Sequence, residues 1–154
     1  MQTSLRYVMY ISRRRPEASD EAVASMVKRA QNFNDRLNLT GLLVCGRHWF
    51  LQHIEGLRED ISRVYDRILA SQLHSDITML GHGLLLGREF PRWTMASLGG
   101  SELDDVLADC GLTPQSQNLA QIDTIKLVHV IRHARDQLLQ RYELTDNAPI
   151  IFVD

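Results

Sequence analysis

Leu5, Tyr7, Met9 and Ile11 alternate with Arg6, Val8, Tyr10 and Ser12, and this period of two predicts a first strand over Leu5 to Ser12. Tyr10 and Ser12 then share one face of it. Pro16 forbids an early helix, so Arg13-Arg14-Arg15 is expected to be a solvated loop. Ser19 or Asp20 is a suitable cap for a helix carrying Val23, Met26, Val27, Ala30, Phe33 and Leu37 at three- and four-residue steps. Asn34 lies at the edge of that stripe and faces inward, while Asn38 is expected to end the helix. Leu42 to Cys45 and Trp49 to Ile54 read as a hairpin, with Gly46-Arg47-His48 as its turn and Gly46 expected at positive φ. Gly56 is expected to break the second strand. Leu57 to Ala70 repeats the helical pattern through Ile61, Val64, Tyr65, Ile68 and Leu69. Ser71 to Ser75 is expected as a loop. Strands over Ile77 to Leu86 and Trp93 to Leu98 follow, with Gly81, Gly83 and Gly87 marking bends or close approach.

Two helices punctuating strands in the order βαββαββ predict an α+β fold, a ferredoxin-like sandwich with additional C-terminal helices. Gly99-Gly100 marks a boundary, giving a core domain over 1–100 and a helical extension over 101–154. In the extension, Ser101 and Asp104 resemble a capping box for a short helix closed by Gly111. A longer helix is expected over Ile122 to Tyr142, apolar enough to cover a sheet face or a partner subunit. Pro149 to Asp154 is short and strand-like.

Composition narrows the function by exclusion. A net charge of −2 over 154 residues gives no electrostatic footprint for nucleic acid. No apolar run is long enough to span a membrane, and the start lacks a signal-peptide pattern. Cys45 and Cys110 sit far apart in apolar surroundings, which argues for a reducing compartment and a cytoplasmic protein. His129 and His133 stand at i and i+4, yet without the adjacent glutamate of a metalloprotease they read as a solvated helix face. Phosphate loops, CxxC pairs and nucleophile elbows are missing, so no enzyme is indicated. Glu55 is expected to play a structural part at a strand end.

What stands out is a set of uncharged groups in apolar context: Tyr10, Ser12, Asn34, Gln52, Trp93 and Met95. Gln52 lies among Trp49, Phe50, Leu51 and Ile54, and a buried amide without partners costs about 1–3 kcal/mol. Tyr10 and Asn34 are the expected partners. The residues alone leave two readings open: a polar network that specifies the core, or a slot between the helices that grips a planar heteroaromatic ligand.

The order and spacing of several short motifs resemble the BLUF domains, flavin-based blue-light sensors, over about Leu5 to Ser97. The motifs are Tyr-x-Ser at Tyr10 and Ser12, Asn34 followed by Thr40-Gly41, Phe-Leu-Gln-x-Ile-Glu-Gly at Phe50 to Gly56, and Arg-x-Phe-x-x-Trp-x-Met at Arg88 to Met95. The resemblance implies noncovalent FAD between the two core helices, with Tyr10, Ser12, Asn34, Gln52, Arg67, His74 and Met95 as the cofactor-binding set. It implies Tyr10, Gln52, Trp93 and Met95 as the photoactive set: the tyrosine gives an electron and a proton, and the glutamine rearranges. The pattern departs at Ser71 and Leu73, where the family has an acid and an arginine toward the flavin's side chain. Phe33 replaces a polar residue and should pack. The reading is therefore a short, stand-alone photoreceptor without an attached cyclase, phosphodiesterase or kinase domain, homo-oligomeric and signalling to a separate effector protein. Two alternatives accompany it: a small flavoenzyme or electron-transfer protein, and a flavin-free interaction module of the same fold.

Overall fold

Strand β1 (Leu5–Arg14) lies antiparallel between β3 (Trp49–Leu57) and β4 (His74–Leu84), and β3 pairs in turn with β2 (Thr40–Cys45). The computed structural model that gives this arrangement describes residues 4–90, 96–99, 102–113, 115–116, 122–141 and 150–152. Two further strands, β5 (Ala96–Gly99) and β6 (Ile150–Phe152), add in parallel to complete the order β4-β1-β3-β2-β5-β6. The β4-β1-β3-β2 portion, with helices α1 (Asp20–Arg36) and α2 (Arg58–Ala70) in the crossovers, is the ferredoxin-like α+β arrangement expected. Helices α3 (Glu102–Asp109) and α4 (Thr124–Arg141) follow it.

The period of two in β1 separates two cores. Val8 turns toward Val23, Val27, Leu39, Leu43, Phe50, Ile54 and Val64 beneath α1 and α2. Met9 and Ile11 turn the other way, toward Leu42, Trp49 and Leu51, where Leu103 and Leu107 of α3 and Leu127, Ile131 and Ala134 of α4 close the face. Each fully buried leucine or isoleucine of these cores contributes about 1.5–3 kcal/mol by leaving water. The sheet is thus covered on both sides, and its two faces can serve different ends.

Local chemistry sets the element limits. Ser19 Oγ accepts from the Ala22 N–H to start α1. At its other end the Leu39 N–H reaches Asn34 O and the Asn38 N–H reaches Asp35 O, with Asn38 left-handed at φ 55°. That is a Schellman closure, with asparagine tolerating the conformation. Asp123 Oδ1 accepts from the Ile125 and Lys126 N–H groups at the start of α4, and Gly111 (φ 88°) follows α3.

Four expectations are corrected. Gly56 does not break β3: it pairs with Arg6 inside the strand, and a Cβ there would meet the Leu39 side chain. Gly46 is not at positive φ; a side chain would press on the Asp104 carboxylate, 2.9 Å from the Cβ position. Asp104 spends its oxygens on the Arg47 and His48 N–H groups (2.6 and 3.1 Å), so it ties the hairpin turn to α3. Arg13 and Arg14 extend β1 instead of forming a solvated loop. Arg13 pairs with Asp76 (3.0 Å) and lies over Trp49, while Arg14 reaches Ala18 O, Gly46 O and Asp20. Arg15 donates to His74 O. Their aliphatic stems and planar heads pack where a loop reading leaves them in water. β4 also begins earlier than expected, at His74, leaving a short turn after Ser71.

Among the described residues, no helix is long and apolar enough to cross a membrane, and no group of histidine, cysteine and acidic residues could hold a metal ion. His129 and His133 are both exposed on α4.

Candidate functional site

Register is what makes the site. Tyr10 of β1 stands directly opposite Gln52 of β3, and Leu43 of β2 stands opposite Gln52 on the other side. Residues paired across a ladder turn their side chains to the same face, here the face beneath α1 and α2. The Tyr10 hydroxyl donates to Gln52 Oε1. Both residues are buried, and together they form part of the floor of a cavity of about 500 Å³. That size is in the range of pockets that enclose small organic ligands.

One wall of the cavity is a stripe of α1: Met26, Arg29, Ala30, Phe33 and Asn34. The opposite wall comes from Val64, Arg67 and Ile68 of α2 and from the turn through Ser71, Gln72 and Leu73 to His74. Asn34 is fully buried, so a primary amide reaches a largely apolar chamber. Phe33 packs, as expected, with the Arg67 guanidinium 3.9 Å from its ring centroid. A cation over an aromatic face across two helices braces the cavity walls against each other.

Burial decides the protonation states. Tyr10 is 3% exposed, and loss of water pushes its phenol well above the ordinary value, with the charges of Cys45 and Tyr65 adding to the shift. The Tyr65 ring stands edge-on to Tyr10 at 6.2 Å. Tyr10 is therefore neutral at physiological pH, and its hydroxyl hydrogen lies on the bond to Gln52 Oε1. His74 has both ring nitrogens engaged: Nδ1 lies 2.6 Å from Ser12 Oγ and Nε2 lies 2.7 Å from Ile68 O. A carbonyl only accepts, so Nε2 carries the hydrogen and the Ser12 hydroxyl donates to Nδ1. Burial lowers the His74 pKa, the Ile68 carbonyl opposes this, and the Arg15 charge reinforces it.

The sequence-derived set thus divides. Tyr10, Asn34, Gln52, Arg67 and His74 surround one cavity. Ser12 is fully buried and does not line it; its hydroxyl holds His74. Trp93 and Met95 lie outside the described residues. Leu43, Phe50 and Tyr65 were missed as neighbours of the tyrosine–glutamine pair, although strand register from the hairpin would have found Leu43. Arg29 was missed too; the Met26-Arg29-Ala30-Phe33 spacing was its signal.

On the opposite face of β3, His53 is stacked on Tyr7 (centroids 5.3 Å, planes 8° apart) and lies 5.3 Å from the Phe90 ring. Glu55 is fully buried and accepts from the backbone N–H groups of Glu89 (2.9 Å) and Phe90 (2.6 Å). Arg88 anchors the same loop to Thr40 Oγ1 and Asn38 O. Glu89 then reaches Arg132 and Arg135 of α4, at 3.5 and 3.6 Å.

The donor set fits a flavin. A planar tricyclic ring with carbonyl and imide edges needs an apolar slot with a few uncharged donors and acceptors, and Tyr10, Asn34 and Gln52 in a half-enclosed apolar chamber provide that.

Comparison with known proteins agrees. A sequence model of the BLUF family, described as sensors of blue-light using FAD, matches residues 5–96. The photoactivated adenylate cyclase subunit alpha of Euglena gracilis is 31% identical over 107 residues, which cover 68% of this chain and 10% of that protein. The beta subunit is 30% identical over 95 residues, covering 60% of this chain and 11% of that protein. The chain spans about a tenth of the length of the curated relatives it matches. Among solved structures, that described as "BlrB - a BLUF protein, dark state structure" superposes with a TM-score of 0.74 at 23% identity, covering 90% of this chain and 100% of that one. A bacterial light-regulated adenylyl cyclase superposes with a TM-score of 0.61 at 25% identity, covering 90% of this chain and 36% of that one.

Proposed function

The chain belongs to the BLUF family, sensors of blue light using FAD, and on that premise we propose that Tyr10 and Gln52 are the switch of a photoreceptor that signals by protein contact. The observation that carries the proposal is the buried bond from the Tyr10 hydroxyl to Gln52 on the cavity floor. When bound, FAD supplies the blue-light-absorbing ring that, once excited, takes up an electron.

Tyr10 is the donor. Its phenol is oxidisable and held neutral by burial, so the departing electron is matched by a proton leaving along the existing hydrogen bond. Gln52 is the moving part. An amide has a donor end and an acceptor end, so its reversal or tautomerisation rewires the floor without creating a buried charge. Return of the electron and proton restores Tyr10 and leaves Gln52 changed. Asn34 would hold the ring's carbonyl and imide edge, with Arg67 bracing the wall. His74, committed to Ser12 and Ile68, would shape the cavity more than bond through its nitrogens. Met95 and Trp93 keep the binding and strand-shifting roles that family resemblance implies.

The output reading rests on β3. Gln52 and His53 are consecutive, so a shift at one moves the other on the opposite face. There His53, Phe90 and the Glu55 carboxylate lead to Glu89 and its ion pairs with α4. We assign the chain no turnover of its own; residues 101–154 would pass the change to a second copy or a separate effector protein.

An absorption spectrum of the purified protein, taken in darkness and under blue light, tests this. A flavin spectrum that shifts to the red and reverts in darkness is expected. Steady oxidation of a reductant by the yellow protein would favour a flavoenzyme, and failure to take up FAD would favour a flavin-free interaction module.

A further inference from the structure

We propose that Arg29 grips the phosphate on the flavin's side chain, so that the cavity selects the phosphorylated flavins, FMN and FAD, over riboflavin. The inference rests on the flavin reading of that cavity and adds the residue that decides which flavin it takes. The cavity runs from a buried floor to an open mouth. Asn34 is fully buried near the Tyr10–Gln52 pair, whereas Arg29, on the same helix wall, is exposed. Five residues of α1 separate the two, a rise of about 7.5 Å, comparable with the five-carbon ribityl spacer between a flavin ring and its phosphate. A ring held by the uncharged groups of the floor would leave its phosphate within reach of a long side chain at the mouth.

The charge on the lining is one-sided. Among the described residues around the cavity, Arg29 and Arg67 carry formal charge at neutral pH, and no aspartate or glutamate balances them. Neither arginine forms an ion pair with an acid among the described residues. Arg67 is committed to the face of the Phe33 ring. Arg29 is placed differently: its Nη1 donates to Ser25 Oγ, one turn back, at 2.9 Å. That bond orients the guanidinium and leaves its Nε–Nη2 edge, the side-on fork that matches two oxygens of a phosphate. The turn through Ser71, Gln72 and Leu73 brings no charge to the mouth, and Lys28, the neighbour of Arg29, is not on the lining. An uncompensated positive potential at the mouth of an apolar chamber favours a ligand with a negative tail. Neutral riboflavin gains nothing from it.

The test is a titration of the full chain, freed of flavin, against riboflavin, FMN and FAD, read by flavin fluorescence. FMN and FAD should each bind at least tenfold more tightly than riboflavin, and added salt should narrow the preference. Arg29→Gln should weaken FMN about tenfold, which is about 1.4 kcal/mol, and leave riboflavin where it was. Lys28→Gln removes a neighbouring charge that is off the lining and should keep the preference. FMN affinity unchanged in Arg29→Gln, a loss shared equally by riboflavin, or an equal loss of preference in Lys28→Gln would overturn the proposal. Riboflavin and FMN bound equally by the parent would reject the role of Arg29 and leave the photoreceptor reading standing, whereas no binding of any flavin would reject both.

Discussion

Glu55 is fully buried, and its two oxygens hold the backbone N–H groups of Glu89 and Phe90 at 2.9 and 2.6 Å. Replacing it with leucine keeps an apolar side chain of similar reach but strands both donors. A hydrogen bond to a charged partner contributes about 1.5–3 kcal/mol, so Glu55→Leu should cost about 3–6 kcal/mol. That is a large part of the roughly 5–15 kcal/mol that holds a domain folded. With a urea dependence of about 2 kcal/mol per molar, the midpoint should fall by about 1.5–3 M. Glu55→Gln keeps one acceptor and should lose about half as much. Gln52 points to the other face of β3, so folded Glu55→Gln should still bind flavin and shift its spectrum in light. What it should lose is the tie from β3 to Glu89 and α4, seen as faster amide exchange in α4 in darkness. Equilibrium urea unfolding followed by tryptophan fluorescence measures the energetic part. A loss below about 1 kcal/mol for the leucine variant would refute the reasoning, since the buried Phe90 N–H and the part-buried Glu89 N–H cannot both be stranded so cheaply.

Other outcomes follow from the same geometry. Tyr10→Phe and Gln52→Leu should each abolish the light-induced red shift while keeping bound flavin, because one removes the proton and electron source and the other the amide; a normal photocycle in either sinks the assigned switch. His74 has a lowered pKa, so the unfolded chain takes up its proton first as pH falls below about 6.5. Stability should therefore be full above that pH and decline below it. In urea midpoints from pH 7.5 to 5.5, the parent should lose more than His74→Gln, and parallel profiles would contradict the assignment. Gly41→Ala should misfold or lose several kcal/mol in urea unfolding, since its Cβ would overlap the His53 carbonyl oxygen and the backbone has nowhere to go.

By itself, the amino-acid order determined whatever is governed by neighbours along the chain. The alternation in β1 placed Tyr10 on the face opposite Met9 and Ile11, the stripe in α1 turned Asn34 inward, and Ser19 and Asn38 marked the limits of the helix. The buried amide of Gln52 called for partners without saying whether a core network or a ligand supplied them, and the resemblance of the motif string around it to the BLUF domains named the ligand as FAD. Tertiary structure decided what depends on which distant segment arrives. Register set Tyr10 opposite Gln52, and a one-residue slip would have turned the two side chains to opposite faces. Glu55 looked like a strand-end acid until the 88–90 loop closed on it, and Asp104 looked like a helix cap until the hairpin turn took its oxygens. Arg13 and Arg14 left solvent because Trp49, Asp76, Ala18 and Asp20 were there to receive them. Hydrophobic periodicity is a property of one element and is written locally, whereas the partner of a polar group is chosen by packing. Gln52 belongs to both: its strand was legible in sequence, and its bond to Tyr10 exists because two strands 42 positions apart lie side by side.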